Sequence, residues 1–168
     1  FNVAWQNDSL HNGGGAYAES AGYKNVFIMA PNYPAGTDAL NGFKALFNGD
    51  IANEVYTKLG QTDYAAEIAQ IRASEADAVY FFLPGGMGIS FLKQYSGSGV
   101  DIPVVGPAFS FDQGILQAVG AAALGVRNTS QWNKDIDTTV NKAFVKSFQA
   151  EYGRLPSLYA SQGFDTGN

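Results

Sequence analysis

The sequence contains no cysteine. That excludes disulfides, thiolate metal ligands and a cysteine nucleophile. It has a single histidine, His11, in a stretch that reads as polar and exposed, so no histidine-based catalytic or metal site is expected. A Ser-His-Asp arrangement would want its serine on a strained GxSxG corner, and no such corner occurs. Neither HExxH nor a paired-aspartate metal motif is present. Charge is scarce: 15% of residues, with a net value of −5. Lysine and arginine never cluster, and the pI is near 4.6. Nucleic acid is therefore not an expected partner. No apolar run approaches the roughly 18 residues a membrane-spanning helix needs. No catalytic residue, metal or cofactor is expected, and the chain is not read as an enzyme.

What is abundant is apolar side chain, at 46% of 168 residues, including 12 phenylalanines and 9 tyrosines. That supports one well-cored domain over residues 1–168. The centre of the pattern is Asp77 to Lys93. Ala78 to Leu83 is apolar at every position, which reads as a strand buried on both faces. Pro84, Gly85, Gly86 and Gly88 break it before a helical stretch. Asn25 to Ala30 and Ile102 to Val105 are two further buried strands, with corners at Pro31–Gly36 and Gly106–Phe111. Glu54 to Thr57 and Gly125 to Trp132 are shorter strand candidates.

Between these runs lie helical patterns. One spans Gly13 to Gly22. A second is capped by Thr37 or Asp38 and carries Leu40, Phe43, Leu46 and Phe47. A third follows Asp63, with Tyr64, Ile68 and Ile71. Near the end, Val140, Phe144, Phe148 and Tyr152 recur four apart, and Gly153 and Pro156 stop that helix. Tyr159 to Asn168 opens another. Strands alternating with helices predict an α/β fold: a three-layer open, mostly parallel sheet with helices on both faces.

In such sheets ligands bind outside the carboxyl ends of the strands. The corners supply Tyr33, Met87, Phe109 and Phe111, and Trp5 and Tyr159 lie in segments expected to reach the same edge. Large apolar side chains projecting past a sheet mark a ligand or partner more readily than those on helices. Gly85-Gly86-Met87-Gly88 opens a helix after a strand, but its spacing matches neither dinucleotide nor P-loop signatures. It reads as a tight turn that lets backbone approach a ligand.

Several segments together carry a family likeness. They are WQND, GYKNVFIMAPNYPAGTDALNGFKALF, EVYTKLGQTDYAAEIAQIRASEADAVYFFLPGG, GVDIPVVGP and NKAFVKSFQAEYGRLPSLYASQGFD. The chain resembles the type I periplasmic solute-binding proteins of branched-chain and other hydrophobic amino-acid ABC transporters. That resemblance implies the second of two α/β lobes, a processed or excised fragment whose first lobe is missing. It implies a periplasmic location, ABC permease subunits as partners, and a small-molecule ligand held between lobes.

Residue by residue, the resemblance implies ligand contact for Tyr33, for Met87 after Gly85 and Gly86, and for Phe164 near the hinge. Trp5, Ala108 and Phe109 complete the expected site. The amino-acid binders place an acidic residue for the ligand's ammonium where Ala108 or Phe109 stands here. An unpaired ammonium in such a cleft costs several kcal/mol. The expected ligand is therefore a small hydrophobic or aromatic carboxylate. Alternatives are a branched-chain or other hydrophobic amino acid whose ammonium pairs elsewhere, for example with Asp8, and a ligand-sensing domain of a regulator or receptor.

Overall fold

The computed structural model describes residues 6–111 and 113–167, so the site candidate Trp5 and the cap candidate Asp112 lie outside the described residues. The chain divides into two compact units, residues 6–129 and residues 130–167.

The first unit is a five-stranded parallel sheet. Its strands are β1 (Asn25–Pro31), β2 (Asp50–Thr57), β3 (Ala78–Phe81), β4 (Val104–Pro107) and β5 (Arg127–Thr129), in the spatial order β2-β1-β3-β4-β5. Its helices are α1 (Asn7–Ser20), α2 (Pro34–Ala45), α3 (Ala65–Ala73), α4 (Gly86–Gly97) and α5 (Gln113–Val119). Side chains alternate across β1 and β3. Phe27, Met29, Val79, Phe81 and Leu83 join one core with Tyr64, Ile68 and Ile71 of the α3 segment and Phe91, Leu92 and Tyr95 of α4. Val26, Ile28, Ala30, Ala78, Tyr80 and Phe82 join the other with Ala18 of α1 and Leu40 and Phe43 of α2. Both faces are thus covered, which is why these strands are continuously apolar.

Helices α1 and α2 lie backbone against backbone. A Cβ on Gly15 would run into the Phe43 carbonyl, and one on Gly42 into the Asp8 carbonyl. This close approach is possible only without side chains at both positions.

The structure departs from the expectations above in several places. Helix α1 begins at Asn7 rather than Gly13, so His11, expected in an exposed stretch, is fully buried on its inner face. Helix α2 starts at Pro34 with Tyr33 as its N-cap, so neither Thr37 nor Asp38 caps it. Proline suits a first helical position because its φ is pre-set and its missing N–H has no intrahelical partner there. Strand β2 runs from Asp50 rather than Glu54. Among the described residues it pairs only with β1, and its partly exposed, polar sequence concealed it. Phe111, expected to project from the corner after β4, turns into the core instead. It is buried, with its ring 5.8 Å from that of Phe81.

The second unit contains α6 (Thr139–Tyr152) and α7 (Leu158–Gly167). Thr138 caps α6 by accepting from the Asn141 N–H, and Gly153 ends it with φ 65°. Of the stripe spaced four apart, Phe144 is buried, but Val140 and Tyr152 are exposed. Tyr159 lies in the first turn of α7, close to where the sequence places the start of that helix. Among the described residues no helix is long and apolar enough to cross a membrane.

Candidate functional site

Strand order β2-β1-β3-β4-β5 reverses direction between β1 and β3. In open parallel sheets the crevice outside the carboxyl ends at that reversal is where ligands bind. The corners after β1, β3 and β4 bound it.

After β1, Tyr33 is held extended, with φ −160° and ψ 168°. Its N–H donates to the Pro31 carbonyl at 2.9 Å, and its own carbonyl accepts from Gly36 and Thr37 in the first turn of α2. The ring is half-buried and stacks on Phe82, with centroids 6.4 Å apart and planes 14° apart. Partial desolvation raises the Tyr33 hydroxyl above its ordinary range, so it is neutral at physiological pH and able to donate a hydrogen bond.

After β3, Gly85 has φ 63° and ψ −132°, a conformation open to glycine and strained for other residues. No atom lies within 4 Å of where a Cβ would stand on Gly85 or Gly86, so this backbone faces open space. Met87 is half-buried and turned toward the α3/α4 side. Its sulfur accepts from the Gly60 N–H at 3.3 Å, which ties the β2–α3 loop to the β3 corner.

After β4 comes a 3-10 turn, Ala108–Ser110. Ala108 is buried, and Phe109 is half-buried against the same core as Tyr33 and Phe82. The buried Ser110 hydroxyl donates to the Leu83 carbonyl at 3.3 Å and links the β3 and β4 corners.

Of the expected site residues, then, Tyr33 and Phe109 share the α1/α2 side of the crevice. Gly85 and Gly86 form its open floor, and Met87 leans to the other side. Phe164 belongs to the second unit, where its ring lies 4.6 Å from that of Phe144 and helps line a cavity of about 190 Å³ with Trp132, Ile136 and Asn141. A larger open cavity, about 580 Å³, lies at the opposite, amino edge of the sheet, beside Val104, Val126 and Arg127. That is the wrong edge for a crevice ligand.

The corner sequences Pro31–Gly36, Leu83–Gly88 and Pro107–Phe111 carry no carboxylate, lysine or arginine. Among the described residues no group of three or more His, Asp or Glu side chains is placed to hold a metal. What the crevice offers is aromatic surface, a tyrosine hydroxyl and unobstructed backbone.

Two residues near this crevice were not expected. Phe82 was read as part of the central strand, and its two ring neighbours are visible only in three dimensions. His11 meets Phe82 edge-on, with centroids 4.8 Å apart, and its Nδ1 lies 2.5 Å from the Tyr80 hydroxyl. The sequence signal for His11 is the buried series Leu10, His11, Gly14, Gly15 and Ala18 on α1. Glycines replace bulk in that series, so a search for apolar periodicity passes over it.

A sequence profile of the family described as "Periplasmic binding protein" matches residues 1–168. A Leu/Ile/Val-binding protein homolog of Brucella melitensis is 30% identical over 154 residues, covering 84% of this chain and 40% of the relative. An R. palustris ABC-transporter solute-binding protein, solved in complex with benzoate, is 31% identical with a TM-score of 0.89. The match covers 99% of this chain and 47% of that one. A solute-binding protein of an ABC transporter from Rhodopseudomonas palustris BisB5, in complex with 3,4-dihydroxybenzoic acid, is also 31% identical. Its TM-score is 0.81, over 97% of this chain and 47% of that one. The chain thus spans less than half the length of each of these three proteins.

Proposed function

The chain belongs to the periplasmic binding protein family, and from that premise we propose that it is one lobe of a two-lobe solute receptor that captures an aromatic carboxylate and delivers it to an ABC permease. The observation that carries this reading is the composition of the crevice: Tyr33, Phe82 and Phe109 on one side, and no carboxylate in any of its three corners. An aromatic acid needs a ring surface and a holder for its anion. An amino acid needs a partner for its ammonium as well, and leaving that charge unpaired in a closed cleft costs several kcal/mol. The benzoate and 3,4-dihydroxybenzoate held by the two solved relatives at 31% identity agree in class.

In this reading the lobe supplies the ring platform and a hydrogen bond from the Tyr33 hydroxyl to a ring substituent, and the other lobe holds the carboxylate. Ligand contacts made by both lobes favour the closed state, and that state docks on the permease in the periplasm. The role is capture and release, without chemistry on the solute.

A hydrophobic amino acid is the second reading. It is favoured by the Leu/Ile/Val-binding relative and by Asp8, an exposed carboxylate in the first turn of α1.

Replacing Tyr33 with alanine in the full-length protein is expected to weaken 4-hydroxybenzoate binding about tenfold to a hundredfold, the range for losing a ring contact together with its hydrogen bond. Titration calorimetry measures it, and an unchanged Kd would remove Tyr33 from the site.

A further inference from the structure

The buried group with no assigned task is His11. Its side chain is fully buried, as is that of Tyr80, and the two meet at 2.5 Å. Hydrogen-bond accounting fixes the tautomer. Burial pushes the Tyr80 hydroxyl far above the ordinary tyrosine range, so it keeps its proton. If Tyr80 donates to Nδ1, the only group left over is the Nε2–H. If Nδ1–H donated instead, both the phenol proton and the Nε2 lone pair would be orphaned in the core. The first arrangement leaves one unpartnered atom rather than two, and Nε2 is indeed without a partner. His11 is thus a neutral ring whose one hydrogen bond among the described residues is to Tyr80.

Tyr80 is itself locked. Its ring stacks on Phe43 at 4.4 Å and passes beneath α1 at Gly14. On its other side the His11 ring packs edge-on against Phe82, which stacks on Tyr33. The contacts form an unbroken series, Tyr80 to His11 to Phe82 to Tyr33. It starts in the α1/α2 core and ends at the crevice.

We propose that His11 is a positioning residue for ligand binding: held by Tyr80, it braces Phe82 and thereby sets the plane of the Tyr33 ring that faces the solute. This rests on the reading of Tyr33 as a ligand contact. It also accounts for a histidine where leucine would pack more cheaply. A leucine would still pack against Phe82 but would present no ring edge held at a set angle by a hydrogen bond.

A double-mutant cycle on the full-length protein tests it. His11→Leu combined with Tyr80→Phe removes the hydrogen-bonded pair without leaving the tyrosine hydroxyl unpaired in the core. In the presence of Tyr33 this pair of substitutions is expected to raise the benzoate Kd about fivefold to tenfold. In a Tyr33→Ala background it is expected to change Kd less than about twofold, because the braced ring is gone. The Tyr33 ring resonances should also shift in the His11 variant, since the ring current of Phe82 moves. Should the double substitution fail to fold, His11→Asn supplies the second variant, with an amide oxygen for Tyr80 to donate to and no ring to brace Phe82. Its Kd should rise in the same Tyr33-dependent way.

Equal losses with and without Tyr33, or unmoved Tyr33 resonances, overturn the positioning role and leave the crevice site standing. No loss on Tyr33→Ala alone overturns the site reading and the positioning role together.

Discussion

Alanine at Gly42 is expected to destabilise the protein by about 3 kcal/mol or more, near the upper end for overpacking a core. The added methyl would meet the carbonyl oxygen of Asp8, and next to it the Cβ of His11. A side-chain neighbour gives way by changing rotamer. A helix carbonyl moves only with its whole turn, so α1 must lift from α2. Gly15→Ala is expected to act alike from the other helix, against the Phe43 carbonyl. Chemical denaturation with the midpoint and slope both fitted measures the loss. Because the lifted segment carries His11, both variants should also weaken ligand binding beyond what lost stability explains. A loss below about 1 kcal/mol at both sites would mean that the helices have room to separate.

The second large effect is a pH dependence. Burial lowers the His11 pKa from 6.5 to about 4, against a smaller opposing pull from the Asp8 carboxylate in the same helix. The group that faces it from β3 is Tyr80, which is neutral throughout this range. The unfolded chain therefore takes up a proton near pH 6.5 that the folded chain refuses until about pH 4. Between those values the unfolded state binds about one more proton, so stability falls as pH falls, by about 1.4 kcal/mol per unit. Over the window the His11 contribution comes to about 3 kcal/mol, present in full above pH 6.5 and lost toward pH 4. The carboxylates titrate in the same region, so the test compares the protein with His11→Asn. The difference in slope between the two stability curves isolates the histidine. Parallel curves would show that His11 titrates in the fold as it does in the unfolded chain, and would contradict the burial effect.

How much of this was legible in the sequence depends on what each residue touches. Strands β1, β3 and β4 are buried on both faces, and that burial forces a continuous apolar run that can be read directly. Strand β2 sits at the sheet edge with partly exposed side chains, so only its last four residues stood out. Helix α1 packs through glycines, and an apolar search finds no stripe where close approach replaces bulk.

The same logic governs the site. Tyr33, Gly85 and Phe109 stood out as candidates because an aromatic or a glycine at a corner has few structural reasons to be there. Phe111, only two residues past Phe109, turned inward into the core, which corner position alone does not predict. Phe82 and His11 were hidden because their ring contact joins residues 71 positions apart in the chain, which no local pattern encodes. The chemistry of the crevice, by contrast, was readable in what its corners lack.

That lack is the central claim, and a thermal-shift panel on the full-length protein tests it most directly. Benzoate, 4-hydroxybenzoate and cinnamate would be compared with leucine, isoleucine, valine and phenylalanine at matched concentrations. A solute that binds only the folded state raises the Tm by mass action, by about 2.7 kcal/mol of stability at a hundred times its Kd. The account predicts that the aryl acids raise the Tm and the amino acids do not. Stabilisation by leucine or phenylalanine alone would contradict it and direct attention to Asp8 as the ammonium's partner.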